Sequence, residues 1–220
     1  MSVARDLFHG FLDILLPRTC LACDEALGPW REAFCRLCAD TLDEIPHVAA
    51  CPQDWAVASH VSAFGYGGAM AEAIIRCKHG GMPGIMLPLT RLAVSRVSLP
   101  LFDLIVPVPL HRKRLAARGF NQASLIARAA ADMTGGKWSA SVLRRTRDTG
   151  SQGGLTRAAR FSSTKGAFSA KGRGAAPARG RTILLVDDVW TTGATCKACA
   201  AALLRAGAAR IEAFTLCRVT

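Results

Sequence analysis

Two adjacent carboxylates, Asp187 and Asp188, stand between a short apolar run and a turn that holds three threonines. The stretch reads ILLVDDVWTTGAT over residues 183–195. Its first four residues are aliphatic and uncharged, the pattern of a strand buried on both faces of a parallel sheet. TTGAT, residues 191–195, follows the acids, and an alanine- and leucine-rich segment to Ala206 then reads as a helix. Gly193 lets the backbone approach a ligand closely. The free N–H groups that open the helix, with its dipole, favour an anion there. The hydroxyls of Thr191, Thr192 and Thr195 can donate to phosphate oxygens. Paired carboxylates at the carboxyl end of a strand can accept hydrogen bonds from a ribose diol, with Mg²⁺ nearby. Strand, acid pair, hydroxyl-rich turn and helix specify a phosphate site with a sugar site beside it. An ordinary strand–turn–helix crossover needs neither paired acids nor three threonines.

A second constellation lies near the amino terminus. Cys20-x2-Cys23 and Cys35-x2-Cys38 are separated by eleven residues. Two CxxC knuckles in a short, loop-rich segment read as a tetrahedral four-cysteine zinc site. The metal replaces a core that so few residues cannot build. Cys51 follows without a CxxC partner, either a leftover of a third knuckle or an alternative ligand. Cys196 and Cys199 fall inside a predicted helix with no second pair nearby and read as core residues.

The elements that must position these residues follow from periodicity. Residues 4–16 place Leu7, Phe8, Phe11, Leu12 and Leu15 on one helical face, and Pro17 ends the run. Residues 56–66 read as one or two strands, 67–78 as a helix stopped by Gly80 and Gly81, and 83–97 as a second helical stretch. Lys78, at the end of its helix, is placed where it could face a phosphate, although the default for such a lysine is a solvated cap. Residues 103–109, DLIVPVP, are another buried strand. Arg112, Lys113, Arg114 and Arg118 are expected in the loop after it, and residues 120–131 in a helix. Ligands of open parallel sheets bind beyond the carboxyl ends of strands, so a basic loop there suits a pyrophosphate. Residues 141–147 read as a strand, 146–164 as a loop able to close over a site, 171–181 as a flexible connection and 209–219 as a closing strand. The alternation predicts an α/β fold, a parallel doubly wound sheet, with a small N-terminal zinc-ribbon segment. The division is residues 1–52, helix and zinc ribbon, and 53–220, the main domain.

Charge is confined. Residues 112–181 hold sixteen Lys and Arg against two acids, whereas the remainder holds twelve basic and fourteen acidic residues. One segment therefore carries the whole excess of the +12 chain, a field that attracts phosphates of a nucleotide or a nucleic acid. No apolar run reaches the roughly 18 to 20 residues of a membrane helix. The run at residues 7–16 contains Asp13 and lacks a small-residue cleavage site, so it is not a signal peptide. The expected location is the cytoplasm, where nine cysteines serve as metal ligands or core residues and not as disulfides.

Residues 183–195 resemble the binding motif for 5-phosphoribosyl pyrophosphate (PRPP) of type I phosphoribosyltransferases. Taken with the paired CxxC knuckles, VPVPLHRKRLAARGFNQA at 106–123, Arg144, Gln152, Leu155, Arg160 and GAF at 166–168, the chain resembles the ComF family. That family joins a zinc-ribbon segment to a phosphoribosyltransferase-like domain. Two departures stand out. Family members often have a further CxxC where this chain has Cys51 alone, and commonly an asparagine where this chain has Ser163. The resemblance implies a link to natural transformation, to the handling of incoming single-stranded DNA and to the DNA-uptake machinery. It implies that Asp187 and Asp188 hold the ribose diol and Mg²⁺, that Thr191, Thr192, Gly193, Ala194 and Thr195 bind the 5-phosphate, and that Arg112, Arg114 and Arg118 neutralise the leaving pyrophosphate.

Three functions compete. One is a phosphoribosyltransferase whose acceptor the sequence does not name and for which no general base is evident. Another is a single-stranded-DNA-binding competence factor that keeps PRPP only as a ligand. The last, a regulator sensing PRPP or a purine, lacks a DNA-reading helix-turn-helix.

Overall fold

The computed structural model describes residues 18–28, 33–45, 48–53, 55–149 and 157–220. The predicted amphipathic stretch at 4–16 lies outside them. Four strands form a parallel sheet: β2 (Ser59–Gly65), β3 (Leu104–Pro107), β6 (Thr182–Trp190) and β7 (Arg210–Arg218). A three-residue strand, β1 (Val48–Ala50), adds to β2 in the antiparallel sense, giving the order β1-β2-β7-β6-β3. Short uncharged runs form the centre because every residue there is covered on both faces. Ile105, Val106, Ile183, Leu184, Leu185 and Val186 are all fully buried.

The period-2 alternation of β6 divides the core in two. Leu184 and Val186 pack with α2 (Gly68–His79), α3 (Met86–Val94) and α5 (Gln122–Thr134), through Met70, Ile74, Leu89 and Ile126. Ile183 and Leu185 face the other way, against Cys196, Cys199 and Leu203 of α7 (Ala194–Arg205). Helices on both faces of a parallel sheet make it doubly wound, as expected. Cys196 and Cys199 are core residues, also as expected.

Local departures from the sequence reading have simple causes. The basic stretch after β3 is the helix α4 (Arg112–Arg118) and not a loop. RKRLAAR consists of strong helix formers. His111 accepts a hydrogen bond from the Lys113 N–H at 3.4 Å, and Gly119 ends the helix at φ 83. The strand expected at 141–147 shrinks to β4 (Arg144–Arg145), paired with β5 (Phe168–Ser169). Within the expected closing loop, Arg157–Thr164 forms α6, and residues 150–156 lie outside the described set. The stretch at 171–181 contains a 3₁₀ helix, Arg173–Ala178.

The cysteine segment is joined to the main core. Its helix α1 (Arg36–Ala39) follows Cys35, and Cys20, Phe34 and Cys35 belong to the same buried cluster as Met70, Ile74 and Phe64. Arg76 of α2 holds both carboxylate oxygens of Asp24, at 2.5 and 2.7 Å, and donates to the Leu21 carbonyl at 3.2 Å. Both carboxylate contacts come from one guanidinium nitrogen, Nη2, a charge-assisted pair that ties the cysteine segment to α2.

Candidate functional site

The acids sit where one strand outruns its neighbour. Val186 is paired with Pro107, the last residue of β3, while β6 continues to Trp190 along β7. Asp187 and Asp188 are thus the first residues beyond the cover of β3, at the mouth of a crevice. Asp187 Oδ1 accepts the Asp188 N–H at 3.0 Å, and Asp188 Oδ1 accepts the Val189 N–H at 2.8 Å. The second oxygen of Asp188 meets Lys78 Nζ at 2.5 Å. Burial, and then the neighbouring Asp188 charge, push Asp187 up to about 7, against the opposing pull of Lys78. Burial works against the charge of Lys78, but Asp188, and beyond it Asp187, hold the ammonium above its ordinary range.

A cleft of about 380 Å³ opens over these acids. Of the residues picked from sequence, Asp187, Asp188, Thr191, Thr195, Arg114 and Arg118 line it together. Arg114 leans to Asp148 at 3.9 Å, and Arg118 donates to Gln122 Oε1 at 2.7 Å. Arg112 does not join them. It lines an adjoining cavity of about 720 Å³ with His111, Arg144 and Arg145. The two cavities share Pro109, Leu110, Asn121 and Arg145. Thr192 lines a third cavity, which meets the acid cleft at Thr191.

Gly193 and Ala194 shape the turn. Gly193 has φ 73, and a Cβ there would lie 2.4 Å from the Trp55 ring and 2.6 Å from that of Trp190. Only glycine fits both the backbone and the space. Ala194 is the first residue of α7, and its N–H points to Thr192 Oγ1 at 3.4 Å. No side chain of the N-cap residue closes this helix end, so its N–H groups remain suited to an anion.

Four further residues line the cleft: Lys78, whose place at a helix end already admitted a phosphate contact, and Asn121, Gln122 and Arg145, to which the sequence assigns no ligand role. Asn121 Nδ2 braces the turn after β3 by donating to the Val108 carbonyl at 3.0 Å. Gln122 Nε2 and Arg145 Nε are buried without a hydrogen-bond partner. Such orphan donors cost stability unless a ligand or water satisfies them, and here they flank a cleft suited to phosphate oxygens. Burial, and then Arg114, lower the pKa of Arg145. Lys78 had a signal, its place at the end of a helix, but nothing in the chain joins it to Asp188. The hard oxygens of the acid pair and threonine hydroxyls fit Mg²⁺, and the surrounding cations fit its phosphate ligands.

The sulfurs of Cys20, Cys23, Cys35 and Cys38 all lie within 4.8 Å of one another. Tetrahedral zinc with Zn–S bonds of about 2.3 Å sets its sulfurs ~3.8 Å apart. Cys23 and Cys35 stand at 3.8 Å. Burial opposes the Cys20 thiolate, yet backbone N–H groups of Cys35, Ala22 and Cys23 bring its pKa down to about 6. The cluster is built to hold a metal ion, and its all-sulfur donor set suits zinc. Cys51 stands apart from it, half-buried in another cavity.

DNA utilization protein YhgH of Salmonella typhi is 31% identical over 230 residues, spanning 93% of this chain and 99% of that protein. The chain belongs to the ComF/DNA utilization protein family. Its Escherichia coli K12 relative of the same description is 31% identical over 234 residues, with the same coverage. Competence protein F of Haemophilus influenzae is 34% identical over 121 residues, 54% of this chain and 52% of that protein. The phosphoribosyl transferase domain family matches residues 118–220, from the end of α4 through β7. The family's domain and the cysteine cluster thus occur together on one α/β fold. Among solved structures, glutamine PRPP amidotransferase from B. subtilis covers 63% of this chain and 26% of its own, with 21% identity and a TM-score of 0.39. Among the described residues, no helix is long and apolar enough to cross a membrane.

Proposed function

We propose that this family member binds PRPP with Mg²⁺ in the acid cleft and acts as a phosphoribosyltransferase. The observation that carries the proposal is the meeting of Asp187, Asp188, Thr191 and Thr195 with Arg114 and Arg118 in one cleft. Thr191–Thr195 and the amino end of α7 would hold the 5-phosphate. Asp187 and Asp188 would orient the ribose diol. Arg114, Arg118 and Arg145 would spread the charge that develops on departing pyrophosphate, the kind of electrostatic assistance that dominates such reactions. Mg²⁺, held by the acids directly or through water, would supply further neutralisation of that charge. Lys78 would move from Asp188 towards the phosphates once a cation takes its place. The Asp187→Asn, Asp188→Asn double variant tests this assignment. It should stay folded and lose PRPP affinity by at least tenfold; unchanged affinity would remove the site.

A second reading, single-stranded-DNA binding with PRPP kept as a ligand only, draws on one observation. The 720 Å³ cavity lined by His111, Arg112, Arg144 and Arg145 runs on from the acid cleft. Backbone binding there would weaken steeply with salt. Under both readings we place the protein in the cytoplasm and link it to DNA uptake. The names of its relatives, DNA utilization protein and Competence protein F, support that link. We also propose that residues 1–52 and 53–220 are the two working units, the first a zinc ribbon and the second the ligand-binding domain.

A further inference from the structure

Between α6 and α7 runs a groove of about 440 Å³ that takes no part in the proposed reaction. Neither the acid pair nor any of Thr191, Thr192 and Thr195 lines it. Its floor is apolar. Ala198 and Ala201, three residues apart and so on one face of α7, are half-buried there. Phe161 of α6 forms a wall, its ring met edge-on by Trp55 at 5.9 Å. Thr164 Oγ1 donates to the Ala194 carbonyl at 3.4 Å and joins the end of α6 to the start of α7.

The rim is basic. Lys165, Lys197 and Arg205 line it, and no Asp or Glu does. Lys197 Nζ lies 5.8 Å from the centroid of Phe161 and 5.3 Å from that of Trp55, so its charge is held at the edge of the apolar floor. Lys165 and Arg205 are exposed, and among the described residues neither belongs to an ion pair. The chain supplies no acid from these elements: none stands between Asp148 and Asp187, or between Asp188 and Glu212.

Charge and floor together select the occupant. The phosphates of a nucleic acid would satisfy the rim but would gain nothing from two alanines, and the Phe161 ring is already engaged by Trp55 and Lys197. A protein segment that mixes carboxylates with apolar side chains uses both features. Its charges meet the three cations, and its apolar groups remove the floor from water. A groove between two helices is a usual seat for such an amphipathic segment. The volume lies in the range of sites that take small groups, so a few side chains fill it.

We propose that the groove between α6 and α7 is a docking site for an acidic, apolar-studded segment of a partner protein. The sequence conceals it because α6 falls in a stretch that reads as a loop. Docking needs neither PRPP nor Mg²⁺, so it stands or falls apart from the reading of the acid cleft.

The test uses fluorescence anisotropy on the whole protein, without PRPP or Mg²⁺. The probe is a labelled twelve-residue peptide of aspartates and leucines, with the leucines three and four positions apart. One control replaces every leucine by serine, and a second is a labelled twelve-nucleotide oligothymidylate. The leucine peptide should bind at least tenfold more tightly than the serine peptide. The Lys165→Gln, Arg205→Gln double variant changes two exposed side chains and should keep the wild-type melting temperature. It should weaken the leucine peptide about tenfold and leave the oligothymidylate unchanged. Equal binding of the two peptides, no binding of either, or an unchanged affinity in the double variant overturns the proposal. So does a variant that weakens the oligothymidylate as much as the peptide, which would make the groove a nucleic-acid contact.

Discussion

Asp187 sets the acid–base behaviour of the cleft. Its folded-state pKa, about 7, lies above the ordinary carboxylate value of 3.8 because of burial and the charge of Asp188. A group raised in this way contributes stability that is fully present below the unfolded value and is lost as the pH rises through the folded one. Without ligand, the protein should therefore lose stability between about pH 4 and pH 7, by at most ~1.4 kcal/mol per pH unit from this group. Asp187→Asn should flatten that part of the profile. Urea melts of both proteins across the range check it, and identical slopes would mean that Asp187 is not raised. The acids and threonines were legible in the sequence because they sit in one continuous run. Gln122 and Arg145 were not, because they reach the cleft from α5 and β4, and the sequence left Lys78 of α2 between a phosphate contact and a solvated cap, since no local pattern records which helix end will face which strand.

The turn from β6 into α7 joins sequence to function at the scale of the element. Its glycine is demanded twice, by a positive φ and by the two tryptophan rings pressed against it. Gly193→Ala should destabilise the protein by about 2–3 kcal/mol and weaken phosphate binding at least tenfold, since the turn must shift to clear Trp55. Denaturation and PRPP titration measure the two effects, and a neutral substitution would contradict this account of the turn. The four parallel strands were readable because buried aliphatic runs have few alternatives. Four arginines and lysines in one run give α4 the look of a basic loop, although RKRLAAR is also a good helix sequence and folds as one. That helix turns Arg114 and Arg118 towards the acids and Arg112 towards the adjoining cavity, so what looked like one cluster serves two spaces.

Across the whole molecule, the cysteine segment is tied into the main core. Cys20 and Cys35 are buried with Met70 and Ile74, and Arg76 grips Asp24. Loss of the metal should therefore be felt beyond the knuckles. Purified protein should carry close to one zinc per chain, and a strong chelator should lower its melting temperature by about 6 °C or more. Elemental analysis with calorimetry tests both statements; a metal content near zero in folded protein would count against the site. The fold class and the pairing of a cysteine cluster with a phosphoribosyltransferase-like domain were legible from motifs alone. The antiparallel edge β1 and the groove between α6 and α7 were not, because both depend on contacts between distant segments.

The most direct measurement is a calorimetric titration of the wild-type protein with PRPP, with and without Mg²⁺. The account predicts binding of one PRPP per chain that strengthens at least tenfold when Mg²⁺ is present. A folded protein that binds no PRPP under either condition would contradict it, and the basic cavity beside the cleft would then become the centre of the functional reading.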